Sequence, residues 1–239
     1  MKHRFLLLFV VLTGFSCGLQ AQTFSFSDEN LVYTIRHNLF PGNIGTMTFQ
    51  GTDGTDRYRV DATLKAAVGS LYTLDCNYKS TFLKDNAVTP VTASRHHVEK
   101  KYWVKSRYDW AAPGQVHLDI TKSTRPHRDE TLRWSGTVRD LLDMIWWFRT
   151  RDYGKTVTCK GNALLLDHDA LPLVVEACNR KTVKYDGRQT PVIEIVLSHE
   201  GKEAMRMTLT DDARRLPLKF SITMPFGTIK GTLASSRTS

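Results

Sequence analysis

Three short segments place histidine beside acidic, basic or other histidine side chains, which are residue types that bind metal ions and transfer protons. His96 and His97 are adjacent, so on a strand they face opposite sides and cannot hold one metal together. Residues 167–169, Asp-His-Asp, could ligate a cation, but between two apolar segments they are typical of a turn. Residues 199–202, His-Glu-Gly-Lys, are typical of a hairpin turn. Since histidine next to carboxylate is common without convergent geometry, we expect no metal or catalytic site at any of them.

Residues 211–215, Asp-Asp-Ala-Arg-Arg, bring two carboxylates and two guanidiniums together. Such a group could bind an ion or an anionic ligand. Alternatively, the aspartates accept backbone N–H groups at a turn, and the arginines pair with them or cover the sheet. Pro217 then fits the first position of a strand, where its missing donor is harmless. We expect the structural role.

The common catalytic motifs are absent from the sequence. It contains no Gly-x-Ser-x-Gly, Ser-x-x-Lys, Cys-x-x-Cys, His-Glu-x-x-His or Gly-x-Gly-x-x-Gly segment. The sequence therefore predicts a protein that is not an enzyme and uses no catalytic residues, metal or cofactor. A hydrolase would need a serine, cysteine or carboxylate pair that only the fold brings together.

The alternation of apolar and polar residues indicates that most of the chain forms β-strands, and these strands must position the residues described above. Period-2 alternation over 58–64, 116–120, 205–209 and 218–222 predicts antiparallel strands with one face on a core and one in water. Further strands fit 30–37, 44–50, 76–83, 92–109, 155–166, 172–184 and 192–199. No linker, repeat or low-complexity tract divides the chain. We predict a mainly β single domain: an antiparallel curved sheet, or open or incomplete β-barrel, with one or two short helices.

Two segments are predicted to be helical: 64–74, mainly because the chain resembles a known family, and 138–149, from its own sequence pattern. In the second, Thr137 suits an N-cap, and Asp140 three residues later completes a variant capping box. An apolar stripe follows, formed by Val138, Leu141, Leu142 and Ile145.

The second helix is apolar beyond that stripe, because Met144, Trp147 and Phe148 lie outside it. The favoured interpretation is a plug that fills one end of the barrel with its tryptophans in the core. The other interpretation is an apolar ligand cavity or a membrane-facing patch. The candidate ligand-binding residues are Trp103, Trp146, Trp147 and Phe148.

Several segments resemble the DUF3108 family. Residues 211–217 and 227–230 resemble its acidic-basic turn before the penultimate strand and its closing strand. Residues 138–149 are similar to its aromatic helix, and 29–35 to its opening strand, where Asp28 replaces the usual glycine. The matches occur in the expected order. The resemblance implies an exported, β-rich bacterial protein and implies no reaction.

The N-terminal segment 1–21 is typical of a secretory signal, with basic residues, an apolar run and a small-residue end. We expect cleavage before Gln22, which leaves the single domain 22–239. The run is shorter than the ~20 residues of a spanning helix, and no later run is longer. We therefore expect no transmembrane helix and a location in the periplasm or at the outer-membrane periphery. Cys17 is a less favoured lipidation site because Gly-Phe-Ser precedes it.

The predicted mature domain carries a net positive charge. Loss of Lys2 and Arg4 lowers Lys+Arg from 33 to 31 against 24 acids, so the net charge falls from +9 to +7. The basic residues mostly alternate with apolar ones, as on solvated strand faces. We expect no nucleic-acid partner.

Three cysteines remain after cleavage. Cys159 and Cys178, on neighbouring predicted strands, are the candidate disulfide in an oxidising compartment. Cys76 could equally be a small buried hydrophobe.

Two functions fit these features. The first is a non-catalytic binding module whose partner is a lipid or another apolar or amphipathic envelope molecule, by analogy with exported β-barrel carriers. The second is an envelope scaffold or interaction domain with a packed core and no small-molecule ligand. A continuous apolar cavity would favour the first, and a close-packed interior the second.

Overall fold

The computed structural model describes residues 24–69, 72–154, 157–158, 161–166, 169–224 and 227–238. The predicted signal 1–21, Cys159 and positions 167–168 of the Asp-His-Asp segment lie outside these ranges. Within them the chain forms sixteen strands and one helix, α1 (Leu141–Arg149). No helix in the described ranges has the length and apolarity needed to cross a membrane.

The strands have the following bounds: β1 (Glu29–His37), β2 (Gly45–Asp53), β3 (Arg57–Val68), β4 (Tyr72–Leu83), β5 (Pro90–Glu99), β6 (Tyr102–Ala112), β7 (Gln115–Lys122), β8 (Arg125–Arg133), β9 (Thr137–Arg139), β10 (Asn162–Leu166), β11 (Asp169–Pro172), β12 (Val174–Tyr185), β13 (Arg188–His199), β14 (Lys202–Thr210), β15 (Pro217–Met224) and β16 (Gly227–Thr238).

Thirteen strands form one antiparallel sheet in the order β12-β13-β14-β15-β16-β1-β2-β3-β4-β5-β6-β7-β8. Strand β1 pairs with β2 on one side and with β16 on the other, so the last strand lies beside the first. The edge strands β12 and β8 do not pair with each other, and the sheet does not close into a barrel. The prediction of a mainly β chain with an open antiparallel sheet is confirmed.

Because neighbouring strands are antiparallel, successive turns lie alternately at two opposite ends of the sheet, which we call the mouth end and the helix end. The mouth end contains the strand ends His37, Val68, Glu99, Lys122 and His199. The helix end contains the strand ends Asp53, Leu83, Ala112, Tyr185 and Thr210.

The inner face of the sheet is apolar because alternate residues of each strand point inward. In β1 these are Leu31, Tyr33 and Ile35, which are 0 to 1% exposed. Beside Ile35, the ring of Phe220 packs over its cross-strand partner Gly231, where an added Cβ atom would lie 2.3 Å from the ring. The core follows directly from the period-2 pattern.

A second, smaller sheet, β9-β10-β11, covers another part of the core. Val138 of β9 and Leu165 of β10 pack with Val116, Leu118 and Ile120 of β7. This sheet leads the chain into and out of α1.

The helix predicted over 64–74 is wrong, because this segment belongs to β3 and β4. Leu64, Ala66, Leu74 and Cys76 alternate inward with exposed neighbours, which is the period of a strand. The single strand predicted over 92–109 is a hairpin of β5 and β6, with Lys100 in the turn at φ +53°. Strand β8 has no counterpart in the prediction, because it is mostly polar and exposed, and only Glu130 and Leu132 are half-buried.

The helix predicted over 138–149 is real but begins at Leu141. Asp140, rather than Thr137, is the N-cap, and its side chain accepts hydrogen bonds from the Leu142 and Asp143 N–H groups. Val138 belongs to β9, where it is buried in the smaller core cluster.

Thiol accessibility tests the inward direction of β4. Cys76 is 1% exposed, and burial raises the pKa of its thiol to about 11. We expect that, under reducing conditions at pH 8, iodoacetamide alkylates Cys76 only after urea denaturation, as measured by peptide mass spectrometry. Alkylation of Cys76 in the native protein as fast as that of exposed Cys178 would contradict the assigned face of β4.

Candidate functional site

Helix α1 fills the helix end of the sheet with aromatic side chains. Trp146 and Phe148 are 0% exposed and Trp147 is 6% exposed. The Trp146 ring lies 6.0 Å from that of Phe49 and 6.1 Å from that of Tyr58, between centroids. This end of the interior is close-packed.

The first turn of α1 is fixed by buried carboxylates. Asp140 Oδ1 accepts from Leu142 N at 2.8 Å, and its Oδ2 accepts from Ser80 Oγ of β4 at 2.7 Å. Burial raises the pKa of Asp140, and these hydrogen bonds oppose that effect. The cap therefore also connects the helix to the large sheet.

Arg139 forms an ion pair with Asp143, and both side chains are at most 2% exposed. Its Nη1 donates to both Asp143 oxygens at 2.9 and 3.0 Å. The guanidinium also donates to the carbonyl oxygens of Ala87 and Val88, each at 2.6 Å, and to Asn162 Oδ1 at 2.8 Å. One buried arginine thus joins the helix, the β4–β5 turn and the smaller sheet.

Arg149 ends the helix with a second buried ion pair, to Glu29 of β1. Its Nη2 donates to Glu29 Oε2 at 3.0 Å, and Nη1 donates to Oε1. The guanidinium carbon lies 4.8 Å from the Trp146 ring centroid and 4.7 Å from that of Phe24. These contacts neutralise and cover the charge, so the pair holds the helix against the sheet.

The mouth end contains a pocket of about 350 Å³. Eight of its ten lining residues are apolar: Ile35, Leu39, Phe40, Ile44, Leu64, Ala66, Leu74 and Ile229. They come from β1, the loop 38–44, β3, β4 and β16. We call this space the mouth pocket.

His37 and Glu99 are the polar side chains of the mouth pocket. His37 Nδ1 accepts from the Leu39 N–H at 3.2 Å, which places the proton of a neutral ring on Nε2. Glu99 Oε2 lies 3.6 Å from His97 Nε2. The pocket thus combines an apolar wall with two polar groups, an arrangement typical of binding sites.

The predicted ligand-binding residues do not line the mouth pocket. Three of them, Trp146, Trp147 and Phe148, belong to α1, which lies at the opposite end of the sheet. Trp103 lies on β6 between inward-facing neighbours, with Lys105 Nζ 5.8 Å from its ring centroid. The structure does not bring the four residues together, and their contact with a ligand stays a prediction.

Sequence reasoning missed the mouth pocket. Its strand residues alternate like any other core positions, so they carried no separate signal. The residues of loop 38–44 did carry one, because Leu39 and Phe40 are large apolar side chains beside the turn residues Pro41 and Gly42.

The segment 211–215 forms the turn that was expected. Asp212 Oδ1 accepts from the Arg214 and Arg215 N–H groups at 3.1 and 3.2 Å. Asp211 pairs with Arg215 and with Arg180. Pro217 is the first residue of β15.

The other candidate residues are separate from the mouth pocket or only partly described. His96 is exposed and adjacent to half-buried His97 on β5. Among the described residues, no group of three His, Cys, Asp or Glu side chains is placed to hold a metal ion. The Cys159–Cys178 pairing stays a prediction, because Cys159 lies outside the described residues.

Destabilisation on removal of the Glu29 charge tests the role of the ion pair with Arg149. We expect Glu29→Gln to lower the free energy of unfolding by about 3–5 kcal/mol, because it leaves a buried guanidinium uncompensated. Urea denaturation measures the change. The control Arg59→Gln breaks an exposed pair with Asp61 and should cost less than about 1 kcal/mol. Equal effects of the two substitutions would contradict this role.

Comparison with known proteins gives a family and a fold. The model of the family "Protein of unknown function (DUF3108)" matches residues 32–234, so the chain belongs to that family. The chain is similar in fold to the crystal structure of a beta-barrel-like protein of the domain of unknown function DUF1849 from Brucella abortus, with a TM-score of 0.60 and 10% identity. The match covers 90% of this chain and 99% of that one. A search of curated proteins gives no match.

Proposed function

We propose that this DUF3108 protein is a non-catalytic binding module that takes an apolar or amphipathic molecule into the mouth pocket. The observation that carries the proposal is the apolar pocket of about 350 Å³ at the end of the sheet opposite α1. A recess of this size with a mostly apolar lining and a few polar groups has the form typical of ligand sites.

The size of the mouth pocket supports a small ligand or one part of a larger one. Ligand sites are typically about 300–1,000 Å³, and a dry cavity of roughly 150 Å³ accepts benzene. At about 350 Å³, the pocket fits a short acyl chain or a small ring system. Its burial would be favourable by roughly 25 cal/mol per Å² of apolar surface.

The polar groups of the pocket favour an amphipathic ligand over a purely apolar one. Glu99 is half-buried at the end of β5, where its carboxylate can accept a hydrogen bond. A ligand with an apolar body and a donor group at one end would match both the wall and this carboxylate.

The alternative is a scaffold that acts through its surface and encloses no ligand. The packing of Trp146 against Phe49 and Tyr58 favours it, because that end has the close-packed interior expected of a scaffold. The mouth pocket favours the binding module, since the described residues leave an apolar recess at the other end of the same sheet.

The binding module is proposed to act in the cell envelope. The support is the signal-like segment 1–21. We expect the protein recovered from its own cells to begin at Gln22, as determined by N-terminal sequencing of the periplasmic fraction. A chain that retains Lys2 and Arg4 and remains in the cytoplasm would contradict the location.

Filling the mouth pocket tests the binding proposal. Ala66 lines the pocket from β3, and in Ala66→Phe the added ring would occupy part of the space. We expect at least about a tenfold loss of affinity for the neutral fluorescent probe N-phenylnaphthylamine, or about 1.4 kcal/mol. Ile229→Trp fills the pocket from β16 and serves if Ala66→Phe does not fold.

The matched control is Ala111→Phe, an exposed position of β6 near the helix end. It should bind the probe like the wild type. Native mass spectrometry after incubation with an envelope lipid extract gives a second measurement, with a bound mass expected for the wild type and control alone. Equal binding by folded pocket variants would contradict the proposal.

A further inference from the structure

We propose that the mouth end docks on an anionic lipid surface, so that the mouth pocket opens toward the membrane. The inference rests on the proposed function for its purpose, but the surface features that carry it can be tested separately from ligand binding in the pocket. They are two exposed apolar side chains and a set of exposed basic ones at the same end of the sheet.

The most exposed large apolar side chains of the described residues both lie at the mouth end. Leu39 is 66% exposed in the loop 38–44, and Val174 is 58% exposed at the start of β12. Strand β12 runs antiparallel to β13, and Val174 is paired with Ser198 beside the mouth-end residue His199. Isolated exposed apolar residues are ordinary, but here both occur at the end that contains the pocket.

Local hydrogen bonds hold Leu39 in its exposed position. The Asn38 N–H donates to the Thr228 carbonyl at 3.1 Å, and Asn38 Oδ1 accepts from the Thr228 N–H at 2.9 Å. Arg36 Nε donates to Asn43 Oδ1 at 2.9 Å across the same loop. The loop is therefore fixed to β16, and its leucine points away from a defined backbone.

Exposed basic residues lie along the same end of the sheet as these apolar positions. Lys100 and Lys101 form the β5–β6 turn beside Glu99, and Lys65 and Lys100 line a groove that shares Ile44, Ala66 and Leu74 with the mouth pocket. Other exposed basic side chains at this end are Arg125, Lys202 and Lys230. The nearby acids are fewer: Asp75, Glu99, Glu176, Glu200 and Glu203; Glu176 accepts a hydrogen bond from Ser198, and Glu203 pairs with Arg206.

The helix end differs in charge. Its turns contain the acidic residues Asp53, Asp56, Asp85, Asp186, Asp211 and Asp212. These acids are balanced by basic neighbours such as Lys84, which bonds Asp53. The excess of positive charge at the mouth end therefore orients the molecule in the field of an anionic surface.

An anionic bilayer matches this combination of features. Apolar side chains enter the boundary between headgroups and acyl chains, while lysine ammonium groups stay at the headgroup level and attract anionic lipids. Leu39 lines the mouth pocket, so insertion of this loop would place the pocket next to the acyl chains. An apolar ligand could then enter without crossing water.

Vesicle binding tests the proposal with the purified protein. We expect flotation with phosphatidylcholine vesicles that contain phosphatidylglycerol, weak flotation with phosphatidylcholine alone, and loss of binding in high salt. The double variant Lys100→Glu, Lys101→Glu should bind the anionic vesicles at least about tenfold less well, since each basic residue near the surface contributes to affinity. Leu39→Ser should also weaken vesicle binding.

The matched control is the double variant Lys184→Glu, Arg188→Glu, which makes the same change of charge at exposed positions near the helix end. It should bind vesicles like the wild type. Equal loss in both double variants, equal binding of neutral and anionic vesicles, or no binding of anionic vesicles by the wild type would overturn the proposal. If only a captured protein, and no vesicle, depended on Lys100 and Lys101, the surface would be a protein interface and the proposal would fail.

The experiments can reject the ligand-binding proposal and the membrane-docking proposal independently. The Lys100→Glu, Lys101→Glu variant should retain affinity for N-phenylnaphthylamine in solution, because these lysines do not line the mouth pocket. Vesicle binding that persists in Ala66→Phe with unchanged probe binding would reject the proposed function and leave the docking surface in place.

Discussion

The two buried arginines at the ends of α1 are the interactions on which the arrangement of the interior depends. Arg139 binds Asp143 and the carbonyl groups of the β4–β5 turn, and Arg149 binds Glu29 of β1. A buried charge is costly without a partner, so displacement of α1 in either direction would be strongly unfavourable. The helix is therefore held in one position, where it covers one end of the open thirteen-stranded sheet.

The fixed helix explains why the two ends of the interior differ. Trp146, Phe49 and Tyr58 fill the helix end with ring contacts. At the mouth end, Ile35, Leu64 and Ala66 instead share the lining of the mouth pocket with Leu39 and Phe40 of the loop 38–44. The same sheet thus provides a rigid, filled base and an apolar recess, a division suited to a binding module. The basic residues and exposed Leu39 around the recess extend this division to the outer surface.

Much of the fold was predictable from sequence, and the site was not. Alternation along β3, β7, β14 and β15 reports burial directly, so these strands and the open sheet follow from it. Strand β8 was missed because this edge strand is mostly polar and exposed, so its sequence shows no apolar alternation. The aromatic residues of α1 indicated an apolar environment and favoured a plug, but the same residues also fit the lining of a cavity. The difference depends on Glu29, which is 120 residues from Arg149 in the chain, and on the recess that the described residues leave at the mouth end.

Methyl NMR during titration with N-phenylnaphthylamine tests the central claim most directly, because it locates the ligand. The account predicts chemical-shift changes in the methyl groups of Ile35, Leu64 and Ile229, which line the mouth pocket. The methyl groups of Leu142 and Ile145, buried in α1, should remain unchanged. Saturable changes centred on α1, or no saturable change at any of these residues, would contradict a binding site at the mouth end.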